Sequence, residues 1–315
     1  DDFVMISIRP YQPEDKPSWD RCVAEARNGS VMHRRDFVEY HAHRFQEQSL
    51  LVLDDDVLIA VIPGSRHGEE WRSHGGLTYG GYVVGRDFRA DNALKAVAAT
   101  IEHLKDSGVK TMWIKPVPRI YHRMPAEEEL YALHRHGARN FRRDLSSSIE
   151  LANCYPFSKG RKWSLNKSRK EGVEVRKSDE WGAFMDIEAA LLLQKRGVNP
   201  AHSAVELLHL ASKFPLDVEL WTAKVGDELL AGVVTFRSPA VLHAQYIGSV
   251  EKGRAIGAVD AIIAHLLANE CRGEKFFDFG ISTPDEGRIL DEALVANKES
   301  YGARGTCYDH YRIDF

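Results

Sequence analysis

The feature that most constrains the fold of this chain is the stretch from Glu219 to Ser282. It opens with ELWTAKV, turns at Gly226-Asp227-Glu228 and continues as LLAGVVTF; a second turn at Ser238-Pro239 leads into VLHAQYIGS. Each run is short, β-branched or aromatic, and bounded by turn formers, which predicts three strands in an antiparallel meander. EKGRAIG then reads as a glycine-bearing loop. In the AVDAIIAHLLANEC that follows, Ile256, Val259, Ile263, Leu266 and Leu267 fall on one face at helical spacing. KFFDFGIS closes the stretch as a buried strand. A loop that feeds a helix N-terminus offers free backbone N–H groups and positive dipole, which suits a pyrophosphate.

A similar order of elements occurs earlier, over residues 49–118. SLLVL, the Asp54-Asp55-Asp56 turn, VLIAVIPGS and EWRSHGGLTYGGYVV precede a helix carrying Leu94, Val97, Ala98, Ile101 and Leu104, and VKTMWIKPVP closes it. This predicts an internal structural repeat. Ahead of the repeat come a strand in VMISIRPY, a helix from Ser18 to Ala26, and a second helix capped by Asp36. His33, Arg34 and Arg35 fall in a loop just before that cap. Glu127–His136 reads as a polar helix and Arg139–Glu150 as a strand. Trp163–Lys170 is a basic helix, and residues 181–214 are helical with a break at Gly197. The tail predicts a helix from about Arg288 to Glu299 and a strand, TCYDHYRIDF, at a sheet edge. The expected fold class is α/β (α+β): two tandem domains, residues 1–150 and 151–315, each a mixed, mostly antiparallel sheet flanked by helices.

A net charge of −4 argues against a nucleic-acid partner. No apolar run is long enough to span a bilayer, so no membrane insertion is expected. Cys22, Cys154, Cys271 and Cys307 show neither CxxC nor zinc-finger spacing and read as reduced thiols of a cytoplasmic protein. The 14 histidines include no HExxH, and the pairs His41/His43 and His134/His136 are two apart, which splits them across a helix. No metal is expected.

GxxxxGK[ST] and GxGxxG are absent. Arg254-Ala255-Ile256-Gly257-Ala258 partly matches a Q/R-x-x-G-x-G/A phosphate loop, with Val259 in the last place. Gly253, Arg254 and Gly257 are therefore candidate contacts to a pyrophosphate, a plain helix start being the alternative. Lys167 and Arg169 lie beside the indole of Trp163, a combination that suits a nucleotide diphosphate or CoA phosphate; the run reads equally as a solvated helix face. The Gly-Gly pairs of SHGGLTYGGYVV allow close backbone approach to a ligand, or mark a bulge. On the third strand of the 219–282 stretch, His243 and Gln245 share a face by the period of two.

FFDFGIS, GRILDEALVANKESYGA and the tyrosine-bearing last strand resemble the C-terminal signature of Fem-type peptidyltransferases, double-GNAT proteins of the GNAT superfamily. NGSVMHRRDFVEYHAHRF, SLLVLDDD and SHGGLTYGGYVV are similar to a bacterial subgroup found with surface-polysaccharide enzymes. Its members resemble N-acyltransferases acting on nucleotide-linked amino sugars such as dTDP-3-amino-3,6-dideoxyhexoses. The resemblance runs from about Trp19 to Ile313. It implies two tandem GNAT-like domains, acyl-CoA as co-substrate and a nucleotide-linked amino sugar as acceptor. In Asn297-Lys298-Glu299-Ser300-Tyr301-Gly302, Lys298 matches the lysine of the Fem F-K-x-x-F-G pattern, and Asp278 and Gly280 match a DFG-like strand.

Attack of an amine on a thioester needs orientation and electrostatic stabilisation more than a protein nucleophile. On this reading His243 accepts the amine proton, a satisfied core histidine being the alternative. Tyr308 or Tyr79 protonates the leaving sulfur or orients the sugar, and Lys298 stabilises oxyanion or phosphate charge. The acyl donor is expected against the second copy. His33, Arg34 and Tyr40 of the first copy, with Trp163, Gln245, Asp278 and Ser282, are the expected sugar contacts. Two other readings stand beside it. One is a Fem-like aminoacyl-tRNA-dependent peptidyltransferase on a peptidoglycan precursor; the other is a non-catalytic module that binds a nucleotide sugar.

Overall fold

The computed structural model describes residues 6–315, apart from the side chains of 195 and 196. Val4 and Met5 of the expected first strand lie outside the described residues. The chain divides into two compact units: Asp1–Leu145 with Thr283–Ile289 and Cys307–Phe315, and Ser146–Ser282 with Leu290–Thr306. A single cut at residue 150 placed the whole tail in the second domain, whereas Thr283–Ile289 and Cys307–Phe315, the latter most of the last strand, group with the first unit.

The first unit holds β1 (Ile6–Pro10), α1 (Lys16–Glu25), α2 (Arg35–Glu39), β2 (Gln46–Glu47), β3 (Leu50–Asp54), β4 (Val57–Ile62), β5 (Ser65–His67), β6 (Glu70–Arg72), β7 (Val83–Val84), α3 (Ala90–Asp106), β8 (Thr111–Ile114) and α4 (Glu128–Arg135). The division falls within β9 (Arg139–Glu150). The second unit continues with α5 (Lys159–Lys170), β10 (Glu174–Ser178), α6 (Trp181–Arg196), α7 (Ala204–Lys213), β11 (Val218–Val225), β12 (Glu228–Arg237), β13 (Val241–Ser249), α8 (Glu251–Ile256), α9 (Ala258–His265), β14 (Phe276–Ile281) and α10 (Glu292–Glu299). The final strand is β15 (Arg304–Asp314).

In the first unit β1, β3, β4 and β7 form an antiparallel sheet. Successive residues of a strand face opposite sides, and β3 is buried on both. Leu51 and Leu53 pack with Trp19, Val23 and Ala26 of α1 and its C-terminal end. Leu50 and Val52 pack with Ala93, Ala96, Val97 and Leu104 of α3. The near-continuous apolar run SLLVL therefore reflects a helix on each face. The buried face of α3 is centred one residue before the expected stripe, with Leu94 and Ile101 partly buried at its margin.

Two local expectations change here. Arg34, not Asp36, is the N-cap of α2, and Asp36 lies in its first turn. Arg35 is not a loop residue: its guanidinium is buried, 3.7 Å above the Tyr11 ring, and binds Glu39 at 2.9 Å and Glu47 at 2.8 Å. β15 is likewise no edge strand. It lies between β8 and β9, and Arg143 on β9 grips Asp309 through two hydrogen bonds of 2.6 and 2.8 Å.

The second unit orders its strands β10-β11-β12-β13-β14, followed by the end of β9. The strands through β13 are antiparallel, and β14 runs parallel to β13. Ala258, Ile262 and Ile263 of α9 and the following Leu266 cover one face, against Trp221, Val233, Leu242 and Phe277. Phe184 of α6 lies on the other, above Gly232 and Gly248, which are register partners. A Cβ at Gly232 would come within 2.3 Å of the Phe184 ring, so the helix needs glycine there to reach the sheet.

EKGRAIG is not an open loop. Glu251–Ile256 is the short helix α8, and Gly257, at φ +76°, joins it to α9. A Cβ on Gly257 would lie 2.6 Å from the Ser164 carbonyl oxygen and 2.4 Å from its hydroxyl. The start of α9 is thus covered by α5, where the sequence placed an exposed seat for pyrophosphate.

Candidate active site

Two irregularities meet in the second unit. The β13–β14 ladder runs only through Val241–Phe276, Leu242–Phe277 and His243–Asp278. Beyond that pair β13 continues to Ser249 and β14 to Ile281 with no register between them. β13 also bulges against β12: Val234 pairs Tyr246 and Thr235 pairs Ala244, which leaves Gln245 without a register partner. The face expected to be shared by His243 and Gln245 is interrupted at this bulge, because an extra residue breaks the period of two. On its other side β14 slips against β9 between Asp278 and Ile281. A strand pair that opens in this way presents unpaired main chain beside whatever side chains flank the opening.

His243 and Asp278 stand at that point. The Asp278 carboxylate is fully buried and accepts from Nδ1 of His243 at 2.9 Å. Its other oxygen accepts from the Ser146 hydroxyl at 2.6 Å. With its proton held on Nδ1, the neutral imidazole keeps Nε2 as a proton acceptor, and Nε2 has no hydrogen-bond partner among the described residues. Gly280, at φ +77°, keeps space beside the ring: a Cβ there would sit 3.3 Å from His243 Cε1 and 4.0 Å from Nε2. A side chain at 280 would be strained by the backbone and would crowd the imidazole.

Lys298 of α10 secures the same segment. Its buried ammonium donates to the carbonyl of Gly280 at 2.7 Å, to that of Ile281 at 3.0 Å and to the Ser282 hydroxyl at 2.8 Å. Four residues singled out from sequence, His243, Asp278, Ser282 and Lys298, therefore come together. Ser146 was missed, because SSS in a strand carries no signal of its own. The placement of Lys298 predicts that Lys298→Ala loses stability and turnover together. Two carbonyls and a hydroxyl lose a buried donor, at about 1–3 kcal/mol, and Gly280 is released beside the imidazole. Thermal unfolding alongside kcat checks this. A fall in kcat with an unchanged midpoint would make Lys298 a charge acting on the reaction itself.

The other sequence candidates are placed differently. Gly253 packs against the Leu230 carbonyl, and Arg254 donates to the Ser249 carbonyl at 2.6 Å; with Gly257 under Ser164, all three serve local packing. Lys167 sits 5.5 Å from the centroid of the exposed Trp163 ring, and Arg169 lies exposed on the same helix. In the first unit His33 is fully buried, bound through Nδ1 to the Ser30 amide at 3.1 Å, and pushed down to about 3 by burial. Its ring packs edge-on to the buried Tyr79, and the Tyr308 hydroxyl meets that of Tyr121 at 3.1 Å. Tyr79 and Tyr308 are thus core residues, not proton donors facing an opening. Arg34 pairs with Asp20 at 3.4 Å, and Tyr40 stacks on His41 at 4.2 Å.

The glycine pairs of SHGGLTYGGYVV have the same packing explanation. A Cβ on Gly76 would lie 2.3 Å from His41 Nε2, and one on Gly80 2.3 Å from the Ser73 carbonyl. The segment is not one strand, since β6 stops at Arg72 and β7 is only Val83–Val84.

Residues 159–287 match the family described as acetyltransferase (GNAT) domain. Among solved structures, FemX aligns with 98% of this chain and 97% of its own, at 12% identity and TM-score 0.71. The L-PGS from Bacillus licheniformis aligns with 96% of this chain and 92% of its own, at 14% identity and TM-score 0.63. A tandem GNAT protein from the clavulanic acid biosynthesis pathway covers 98% of both chains at 10% identity and TM-score 0.52. No curated protein matches the chain in sequence. The fold is that of the tandem GNAT proteins, sheets flanked by helices, and with the matched domain it defines the protein as an acyltransferase.

Proposed function

We propose that the protein transfers an aminoacyl group from an ester-linked carrier to an amine, with His243 as general base. The observation that carries this reading is the Asp278–His243 pair, set where β13 and β14 part. The amine nitrogen attacks the ester carbonyl and a C–N bond forms. The ammonium proton passes to Nε2 of His243, the C–O bond breaks, and the proton is returned to the departing carrier hydroxyl. Asp278 holds the imidazole in the tautomer that accepts and stabilises its charged form.

Two features support an aminoacyl donor. The start of α9, where an acyl-CoA pyrophosphate would sit, is covered by Ser164. The fold is shared with FemX and with the C-terminal domain of a protein described as a lysylphosphatidylglycerol synthetase from Agrobacterium fabrum. A second reading is supported by the acetyltransferase-domain match over 159–287: acyl-CoA as donor, with a nucleotide-linked amino sugar as acceptor.

Donor competition separates them. Purified protein is incubated with radiolabelled aminoacyl-tRNA and a peptidoglycan-precursor amine, and separately with acetyl-CoA or a longer acyl-CoA and dTDP-amino sugars. Expected is label on the amine without thiol release from acyl-CoA. Thiol release dependent on the sugar, with no transfer from aminoacyl-tRNA, establishes the second reading. A dTDP-sugar thermal shift with turnover from neither donor establishes a binding module.

A further inference from the structure

We propose that Ser146 is a positioning residue of the transfer reaction, acting through Asp278 on the tautomer of His243. The inference rests on His243 being the base. It adds a residue on a different strand, β9, that touches no reacting atom.

The geometry is a chain of three buried groups. The Ser146 hydroxyl donates to Oδ1 of Asp278 at 2.6 Å, and Oδ2 of Asp278 accepts from His243 Nδ1 at 2.9 Å. Ser146 and Asp278 are both fully buried, and His243 is 8% exposed. A carboxylate can turn about its terminal torsion, which is broad and roughly two-fold. One oxygen fixed by a short hydroxyl bond sets the carboxylate plane and thereby aims the other at the imidazole.

The backbone shows why the bond comes from this residue. Asp278 pairs in register with Ser148, yet the hydroxyl that reaches its carboxylate comes from Ser146, which pairs with Ile281. Ser146 lies two residues before Ser148 and so on the same face of β9, from which its hydroxyl reaches Asp278 diagonally; the register slip between Asp278 and Ile281 falls at Gly280, beside the His243 ring. The diagonal serine thus orients the acid, and the glycine at the slip clears the face of the base. Local strand irregularities of this kind re-aim side chains beside active sites.

In water an imidazole is free to carry its proton on either nitrogen, and only an oriented acceptor holds it on Nδ1. A proton on Nε2 would leave His243 unable to accept from the amine. Ser146→Ala removes the hydroxyl at little change in volume, and Ser146→Thr restores it.

The test is nitrogen NMR of histidine-labelled protein, with assignment by comparison with His243→Gln. Above the titration of the ring, the wild type is expected to show the Nδ1–H tautomer at His243. Ser146→Ala is expected to show a mixture with Nε2–H, and Ser146→Thr to return toward wild type. Turnover by whichever donor is active should fall about tenfold in Ser146→Ala with little change in the acceptor KM, as befits loss of one charge-assisted hydrogen bond. An unchanged tautomer in Ser146→Ala overturns the inference, whatever the rate. The NMR readout needs no substrate, so it stands or falls apart from the choice of donor. A shifted tautomer with no effect of His243→Gln on turnover would instead overturn His243 as the base.

Discussion

His243→Ala lowers kcat by about 10²–10⁴-fold, the usual contribution of a positioned proton acceptor, far more than its loss of stability, about 1–3 kcal/mol for a buried carboxylate deprived of one donor, would account for. The residue lies at the end of the β13–β14 ladder, and its ring faces the space beside Gly280. Its removal leaves one oxygen of Asp278 without its imidazole, but the other keeps Ser146. Asp278→Asn gives a similar fall by another route, since the neutral amide no longer stabilises the imidazolium. The two losses should not add: once the imidazole is gone, the carboxylate has nothing to orient. The check is kcat and KM for both single variants and the double. A His243→Ala enzyme within threefold of wild type would make the pair a structural ion pair and remove it from the mechanism.

Much of this site was legible in the sequence because its parts lie on strands of clear pattern. VLHAQYIGS and KFFDFGIS announce β13 and β14, so His243 and Asp278 could be placed on strands, and the tail pattern marked Lys298. What sequence did not show was pairing. Nothing in the two runs says that they are parallel neighbours in register at His243 and Asp278, since that choice depends on which strands a helix connects. The bulge at Gln245 was invisible for a related reason: it is a mismatch between two strands, not a property of one.

Glycine was the most misleading signal. Gly75, Gly76, Gly80 and Gly257 looked like places where a ligand approaches the backbone. In each case the approaching group belongs to this chain: His67, His41, Ser73 and Ser164. A missing Cβ reports close approach and is silent about the identity of what approaches. The helix α8 was read as a loop for the same reason, because Gly253 and Gly257 outweighed the otherwise helix-compatible EKGRAI. Buried charge was also hidden. Arg35 sits in a run of ordinary surface character, RRDFVEY, and only the tertiary structure supplies its two carboxylates and the Tyr11 face.

In the first unit, Glu129→Gln should stabilise the protein most at alkaline pH. Glu129 is buried on α4 against Gly81, and its carboxyl accepts the Tyr82 amide at 3.3 Å. Burial raises it from the usual 4.5 to about 8, and the Tyr82 amide offsets only part of that rise. A carboxyl whose folded pKa lies above its unfolded value contributes stability that is fully present below the unfolded pKa. That contribution is lost as pH rises through the folded one. The window is therefore pH 4.5 to about 8, and the full loss is on the order of 5 kcal/mol. Other buried groups act in the opposite sense. His33 and His74, both pushed down to about 3 by burial, favour the folded state less as pH falls below 6.5. Lys115, lowered to about 7, favours it more as pH rises from there toward 10.5. All three remain in the variant, so they cancel in the difference between the two proteins. Glutamine keeps the carbonyl that accepts from Tyr82 and cannot ionise. The unfolding midpoint of Glu129→Gln minus that of wild type should be near zero at pH 4.5, grow through neutrality, and reach roughly 5–10 °C at pH 9. A difference that does not change between pH 5 and 9 would mean that Glu129 ionises in the folded protein much as it does in water.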